Sequence, residues 1–319
     1  MKKSLIILLS ACLLCFTAAG QEEEKGPAAS NHLMSSASFS ALQIDSKDFV
    51  LSPSAGLQFM RIKNPKVQSH NPDLLMAGFS YSQNYFTQGL GAEQVKRIHG
   101  CSFMGNIMTG KNSFSAMVAS NGEVPFSNIK TVSGALLYNR QLYKSQTLSF
   151  TLGAGLMVGD FGINIYGVDI YVFAMPVMSF SYTNNVLSTT ISAMGLPSFK
   201  FTLFPKSMFR INTSAGIAGF KSVRDITFDC ALAYYPLTSE KLKDALSISL
   251  GVMNRHSGFV LKDKTKYGYQ YYCAYGEINA SLLVLRCGYN FDGIRKVNDE
   301  ITGEMPAGFF ASLNATFVL

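Results

Sequence analysis

The chain has 319 residues, of which 48% are hydrophobic and only 15% charged, with 15 Tyr, 24 Phe and no Trp. A soluble surface is usually about a quarter or more charged, so this composition argues against a water-exposed globular domain of such length. The formal charge of +7 falls to +5 without Lys2 and Lys3, and no basic patch with interleaved aromatics exists, which excludes a nucleic-acid surface.

The first segment reads as a secretory signal peptide over residues 1–20. Lys2 and Lys3 form a basic start, Leu5 to Phe16 is apolar, and Thr17 to Gly20 supplies small residues before Gln21-Glu22-Glu23-Glu24. Cleavage is expected after Ala19 or Gly20. Leu9-Ser10-Ala11-Cys12 also resembles a bacterial lipobox, which would make Cys12 a lipidated residue. Gln21 to Ser30 reads as a flexible start, and the flexible segment is placed at 21–35. Beyond residue 20 no run of eighteen apolar residues occurs, so transmembrane helices are not expected.

From about Ser36 onward the chain alternates with the period of a strand. Leu75, Ala77, Phe79 and Tyr81 oppose Met76, Gly78, Ser80 and Ser82. Thr131 to Asn139 and Thr147 to Val158 form a hairpin pair, the second with Leu148, Phe150, Leu152, Ala154, Leu156 and Val158 against Ser149, Thr151, Gly153 and Gly155. Met178, Phe180 and Tyr182 lead through Asn184-Asn185, suited to a tight turn, into Leu187, Thr189 and Ile191. Ile211, Ala215 and Ile217 oppose Asn212, Ser214 and Gly216. Ile226, Phe228, Cys230, Leu232 and Tyr234 oppose Asp225, Thr227, Asp229 and Ala231; a face with two carboxylates must avoid lipid.

Ser239 to Ala245 reads as a loop or short helix. Strands are then expected at Ser247 to Val252, Tyr267 to Tyr275 and Ser281 to Tyr289. Tyr267, Tyr269, Tyr271 and Tyr275 suit an aromatic girdle at a membrane interface. The last segment, Gly308 to Leu319, sets Phe309, Ala311, Leu313, Ala315, Phe317 and Leu319 against Phe310, Ser312, Asn314, Thr316 and Val318. A final strand needs a neighbour for its free edge, and in a membrane a closed barrel supplies it. The expectation is therefore an all-β chain forming a single antiparallel transmembrane β-barrel over 36–319, with about 12–14 strands, weakest near residues 55, 102 and 257. Long polar connections at Lys63 to Asp73, Gln88 to Gly100, Arg255 to Lys266 and Asp292 to Pro306 are placed as external loops.

The search for chemistry is mostly negative: no catalytic, cofactor-binding or metal residue is assigned. Cys101, Cys230, Cys273 and Cys287 lack metal spacing and are expected unbridged, with Cys230 and Cys287 on the apolar face. His32, His70, His99 and His256 form no ligand motif. His256 with Ser257 and Asp229 could in principle form a base and nucleophile pair near the rim. Asp225, Asp229, Arg286, Asn212 and Asn314 share an inward parity, which fits either a water-filled path or a partly filled barrel.

The signal segment, the alternating strands and the terminal strand resemble outer-membrane β-barrel proteins of Gram-negative bacteria as a class, and Gln21 to Glu24 after the signal resembles secreted proteins of Bacteroidota. Leu319 departs from the terminal phenylalanine of that class; Phe317 lies two residues back. The resemblance implies an outer-membrane location, contact with outer-membrane lipids and lipopolysaccharide, and insertion by the barrel assembly machinery. It also implies a non-enzymatic channel, transport or structural role, with a small solute or a periplasmic partner. Two other roles stay open at this point: an enzyme modifying lipid or lipopolysaccharide, and a binding or adhesion protein working through its loops.

Overall fold

A computed structural model describes residues 29–63, 71–90, 94–160, 164–165, 168–194, 196–217, 225–237, 239, 242 and 244–318. The signal segment, Cys12, His70 and Leu319 lie outside the described residues. The first staves are β1 (Ala29–Gln43), β2 (Phe49–Lys63), β3 (Asn71–Leu90), β4 (Val95–Gly110), β5 (Asn112–Gly122), β6 (Val132–Lys144) and β7 (Leu148–Gly159). A short ribbon of β8 (Asn164–Ile165) and β9 (Val168–Asp169) precedes β10 (Val172–Thr183), β11 (Leu187–Met194), β12 (Leu196–Leu203), β13 (Phe209–Ile217) and β14 (Ile226–Tyr234). The chain finishes with β15 (Leu246–Val260), β16 (Lys266–Ala280), β17 (Leu283–Val297), β18 (Glu300–Met305) and β19 (Gly308–Val318).

Among the described residues, sixteen of these strands close into one antiparallel barrel. The ring shuts where β19 pairs with β1, from Met34 opposite Val318 to Leu42 opposite Phe310. The terminal segment is thus the closing stave that its alternation demanded. The barrel has more staves than the twelve to fourteen expected, the additional ones being β5 and β12. On β12, Ser198, Lys200 and Thr202 face inward and Pro197, Phe199 and Phe201 face outward, so this eight-residue strand alternates like its neighbours.

The parity of the other strands is as read. Leu75, Phe79, Leu152, Phe180, Leu232 and Leu313 all point outward and are exposed. At 69% and 70% exposure, Leu250 and Phe309 present nearly whole side chains to the surroundings. Hydrocarbon relieves that exposure by about 1.5–3 kcal/mol for each such residue, so the outer wall suits a bilayer. Cys230 and Cys287 also point outward, and all four described cysteines are free.

Antiparallel staves put alternate connections at opposite ends. Ala29 and Val318 lie at one end, here the terminal end; the connections after β1, β3, β5, β15 and β17 lie at the other, the far mouth. Three of the four stretches expected as loops therefore reach the far mouth, but much of each is strand there, in β4, in β15 and in β17 and β18, whereas Lys63 to Asp73 spans the step from β2 to β3 at the terminal end. At that end, too, Ser239 to Ala245 makes turns among its described residues, with Leu242 N–H donating to Ser239 O and Ala245 N–H to Leu242 O. Asn184 folds its own turn by accepting from Val186 N–H and Leu187 N–H at 2.8 and 2.7 Å.

Candidate functional site: a covered mouth and a charged lumen

The wall is not uniform at the far mouth. The pairing of β14 with β15 stops at Asp229 opposite Met253. Above it the Asn254 side chain replaces the missing ladder, accepting from Phe228 N–H and donating to Ile226 O. From that seam β15 leaves the ring together with β16, the upper part of β17, and β18. The register of β16 on β17 slips between Gln270 and Tyr272, and Asp292 in the slipped stretch adopts φ 47°. An extra residue in this conformation bends a strand, and here the bend carries the sheet over the opening.

This lid reaches the opposite wall. β5 and β15 stand eight staves apart in a ring of sixteen, yet Val260 pairs with Gly122. Asn121 Nδ2 donates to Gly258 O at 2.7 Å, Glu123 N–H to Val260 O at 3.0 Å, and Lys262 N–H to the Glu123 carboxylate at 3.0 Å. Beneath the lid lies an apolar cluster. Phe86 of β3, fully buried, packs against Phe259 at 5.3 Å and Tyr269 at 6.4 Å between ring centres. Ile44, Val50, Leu90, Ile98 and Met305 belong to it as well.

Ion pairs pin the edges, among them Lys266 of β16 at 3.9 Å from Asp160 beyond β7. Arg295 donates to Ile44 O and to Asp45, both at 3.0 Å, and Lys296 lies 3.7 Å from buried Asp225. The Ser46 backbone N–H, and after it Arg295, hold the Asp45 carboxyl below its ordinary range. That contact is present above the ordinary carboxylate range and is lost only as pH falls through the lowered value.

Tyr269, Tyr271 and Tyr275 correct the girdle expectation. All are buried on the inward side, and Tyr267 packs against the same cluster. The aromatic positions alternate as read, but a covered lumen buries aromatics as well as a membrane interface does. Outward aromatic pairs do flank the wall: Phe209 stacks on Tyr234 at 4.9 Å toward the terminal end, and Tyr289 meets Phe309 edge-on at 5.1 Å toward the mouth.

Below the lid the lumen carries charge. Arg286 of β17 holds Glu277 of β16 at 2.6 Å through Nη2 and donates to it from Nε at 2.8 Å. Its guanidinium lies 4.4 Å over the Tyr275 ring and 3.8 Å from Asp229, while Tyr275 O–H donates to Asp229. Glycine makes this possible, because a Cβ on Gly251 would fall 2.7 Å from the Tyr275 ring. Gly251→Ala is expected to push Tyr275 off Asp229 and to lower the free energy of urea unfolding of the barrel by about 1–3 kcal/mol; unchanged unfolding and an unchanged tyrosine spectrum would count against this reading.

Asp229, Arg286 and Asn212, three residues of inward parity in the sequence, line one cavity of about 260 Å³ with Tyr275, Glu277 and Lys200. Asn314 faces inward on β19 opposite Ser38 and Val284. Asp225 belongs instead to the lid contacts. His256, Ser257 and Asp229 do not assemble a catalytic pair: neighbours on a strand point to opposite faces, His256 stands opposite Gln270 and Ser257 opposite Tyr269, and Asp229 is engaged by Tyr275. His99 bonds Tyr81 O–H at 2.6 Å. Among the described residues no group of three His, Cys, Asp or Glu side chains could hold a metal ion.

The molecule is therefore, by architecture, a membrane-type β-barrel with an apolar exterior, a polar lumen and one covered mouth. No protein-family model and no curated protein matches the chain. Among solved structures it is similar to OccAB4 of Acinetobacter baumannii, at 10% identity over 92% of this chain and 99% of that one, with a TM-score of 0.38. It is also similar to OccAB3 of the same organism, at 9% identity over 91% and 99% with a TM-score of 0.39. OmpT, an outer membrane protein of Vibrio cholerae, matches at 10% identity over 94% and 100% with a TM-score of 0.29.

Proposed function

We propose that the protein is an outer-membrane barrel with a non-enzymatic role, a passage for small polar solutes whose far mouth is closed by the β15–β18 lid. The carrying observation is the contrast between the two sides of one closed wall. Its outside exposes Leu250, Phe309 and Leu285, and its inside places Ser36, Ser80, Asn212, Asp229 and Arg286 around the lumen. Rings of sixteen strands are wide enough for an aqueous path, and the lid is the element that blocks it here. Residues 1–20 serve as the signal in this reading; lipids and lipopolysaccharide contact the apolar belt, and the barrel assembly machinery inserts the chain.

The test begins with fractionation. The mature protein is expected in the outer-membrane fraction, extractable only with detergent and slower on gels after boiling. Recovery in the soluble fraction without detergent would overturn the membrane reading. In proteoliposomes, loosening the lid is expected to admit small neutral sugars, measured by osmotic swelling; liposomes that never swell would leave the barrel a structural role.

A further inference from the structure

We infer that the cavity between Lys200 and Asp229 binds a small zwitterion of dipeptide size, its carboxylate on the Lys200 ammonium and its ammonium on the Asp229 carboxylate. The inference rests on the passage reading and names the class of solute its lumen selects. Lys200 on β12, Ser214 on β13 and Asp229 on β14 form one register row. Lys200 and Asp229 are thus two strand spacings apart, about 10 Å between backbones, with Ser214 between them.

The charges in this cavity are not all used. Glu277 and Arg286 neutralise each other at 2.6 Å. Asp229 takes a hydrogen bond from Tyr275 and stands 3.8 Å from the already engaged Arg286, so it keeps most of a negative charge. Lys200 is exposed in the lumen and, among the described residues, makes no ion pair. One positive and one negative charge therefore face the same 260 Å³ across Ser214, with Thr202 and Asn212 offering hydroxyl and amide groups beside them. A simple anion or cation would satisfy one charge and be repelled by the other; a molecule carrying both satisfies each.

The cavity lies below the lid, with Asp229 at the seam where the lid departs. Lys200, Glu277 and Arg286 lie toward the terminal end of their staves, and the lid covers the far mouth. Binding is therefore testable on the closed protein.

The experiment is calorimetric titration of the detergent-folded full chain with alanyl-alanine, its N-acetyl form and its C-terminal amide. Alanyl-alanine is expected to bind, and each blocked form to bind about tenfold or more weakly, the loss of one charge-assisted contact. Lys200→Gln is expected to bind the free dipeptide and its amide alike, and Asp229→Asn to stop distinguishing the free from the acetylated form. Both variants are checked for folding by their migration before and after boiling. Equal affinity for all three forms, no binding at millimolar dipeptide, or unaltered selectivity in folded Lys200→Gln would each overturn the inference. Conductance is read separately: a conducting barrel blind to the dipeptide loses only this site, and a binding barrel that never conducts loses only the passage.

Discussion

Phe86→Ala is expected to loosen the lid without melting the barrel. Phe86 is fully buried and holds Phe259 and Tyr269 from the β3 side, so truncating it removes apolar contact from both strands of the β15–β16 hairpin at once. Deleting a core phenylalanine costs about 3–5 kcal/mol. Most of that cost falls on lid closure, because the staves below keep their ladders. An opening constant raised by roughly two to three and a half decades follows from the same figure. Hydrogen exchange reads it directly: backbone amides of residues 256–270 should exchange faster by about that factor, while amides of β6, β7 and β10 stay as they were. Uniform acceleration through the wall would mean that Phe86 supports the barrel rather than the lid.

The second large effect belongs to Arg286. Arg286→Ala leaves Glu277 facing Asp229 in the lumen with no guanidinium between them and strips the cation from the Tyr275 ring. Breaking a fully buried pair costs more than this one does, because Arg286 and Glu277 keep 18% and 16% of their side-chain surface exposed. A loss of about 1–3 kcal/mol in urea unfolding is expected. Arg286→Lys should restore only part of it, since an ammonium cannot donate from two nitrogens to Glu277 while lying flat over Tyr275. Pairing Arg286→Met with Glu277→Gln should recover more than Arg286→Ala alone. Identical midpoints for wild type and Arg286→Ala would show that the lumenal network carries no stability.

How much of this was legible depends on distance along the chain. The parity of β3, β7, β13, β14 and β19 was readable because a period of two is local, and it correctly placed Asp229, Asn212 and Arg286 inside. β5 escaped because its apolar residues do not keep one parity, Phe114, Met117 and Val118 all being exposed; β12 does alternate, with Phe199, Phe201 and Leu203 against Ser198, Lys200 and Thr202, but over only eight residues. With β12 went Lys200. Glu277 shares the inward parity of Tyr275, but that tyrosine was assigned to a girdle, so its row was not followed inward. The lid was illegible for a different reason. Asn121 and Gly258 are 137 positions apart, and no local pattern announces that a hairpin bends across a ring to meet the eighth stave away. The bend rests on a register slip and on the φ of Asp292, which alternation does not encode.

The account centres on a lumen that the lid closes, and single-channel conductance in a planar bilayer tests that most directly. The full chain is compared with a variant in which Arg255 to Tyr271 is replaced by an Asn-Gly turn joining the paired Asn254 and Tyr272. The prediction is small or rare current steps for the full chain and stable, several-fold larger steps for the shortened one. Equal conductance in the two proteins, or silence from a shortened barrel shown to be folded and inserted, would contradict it.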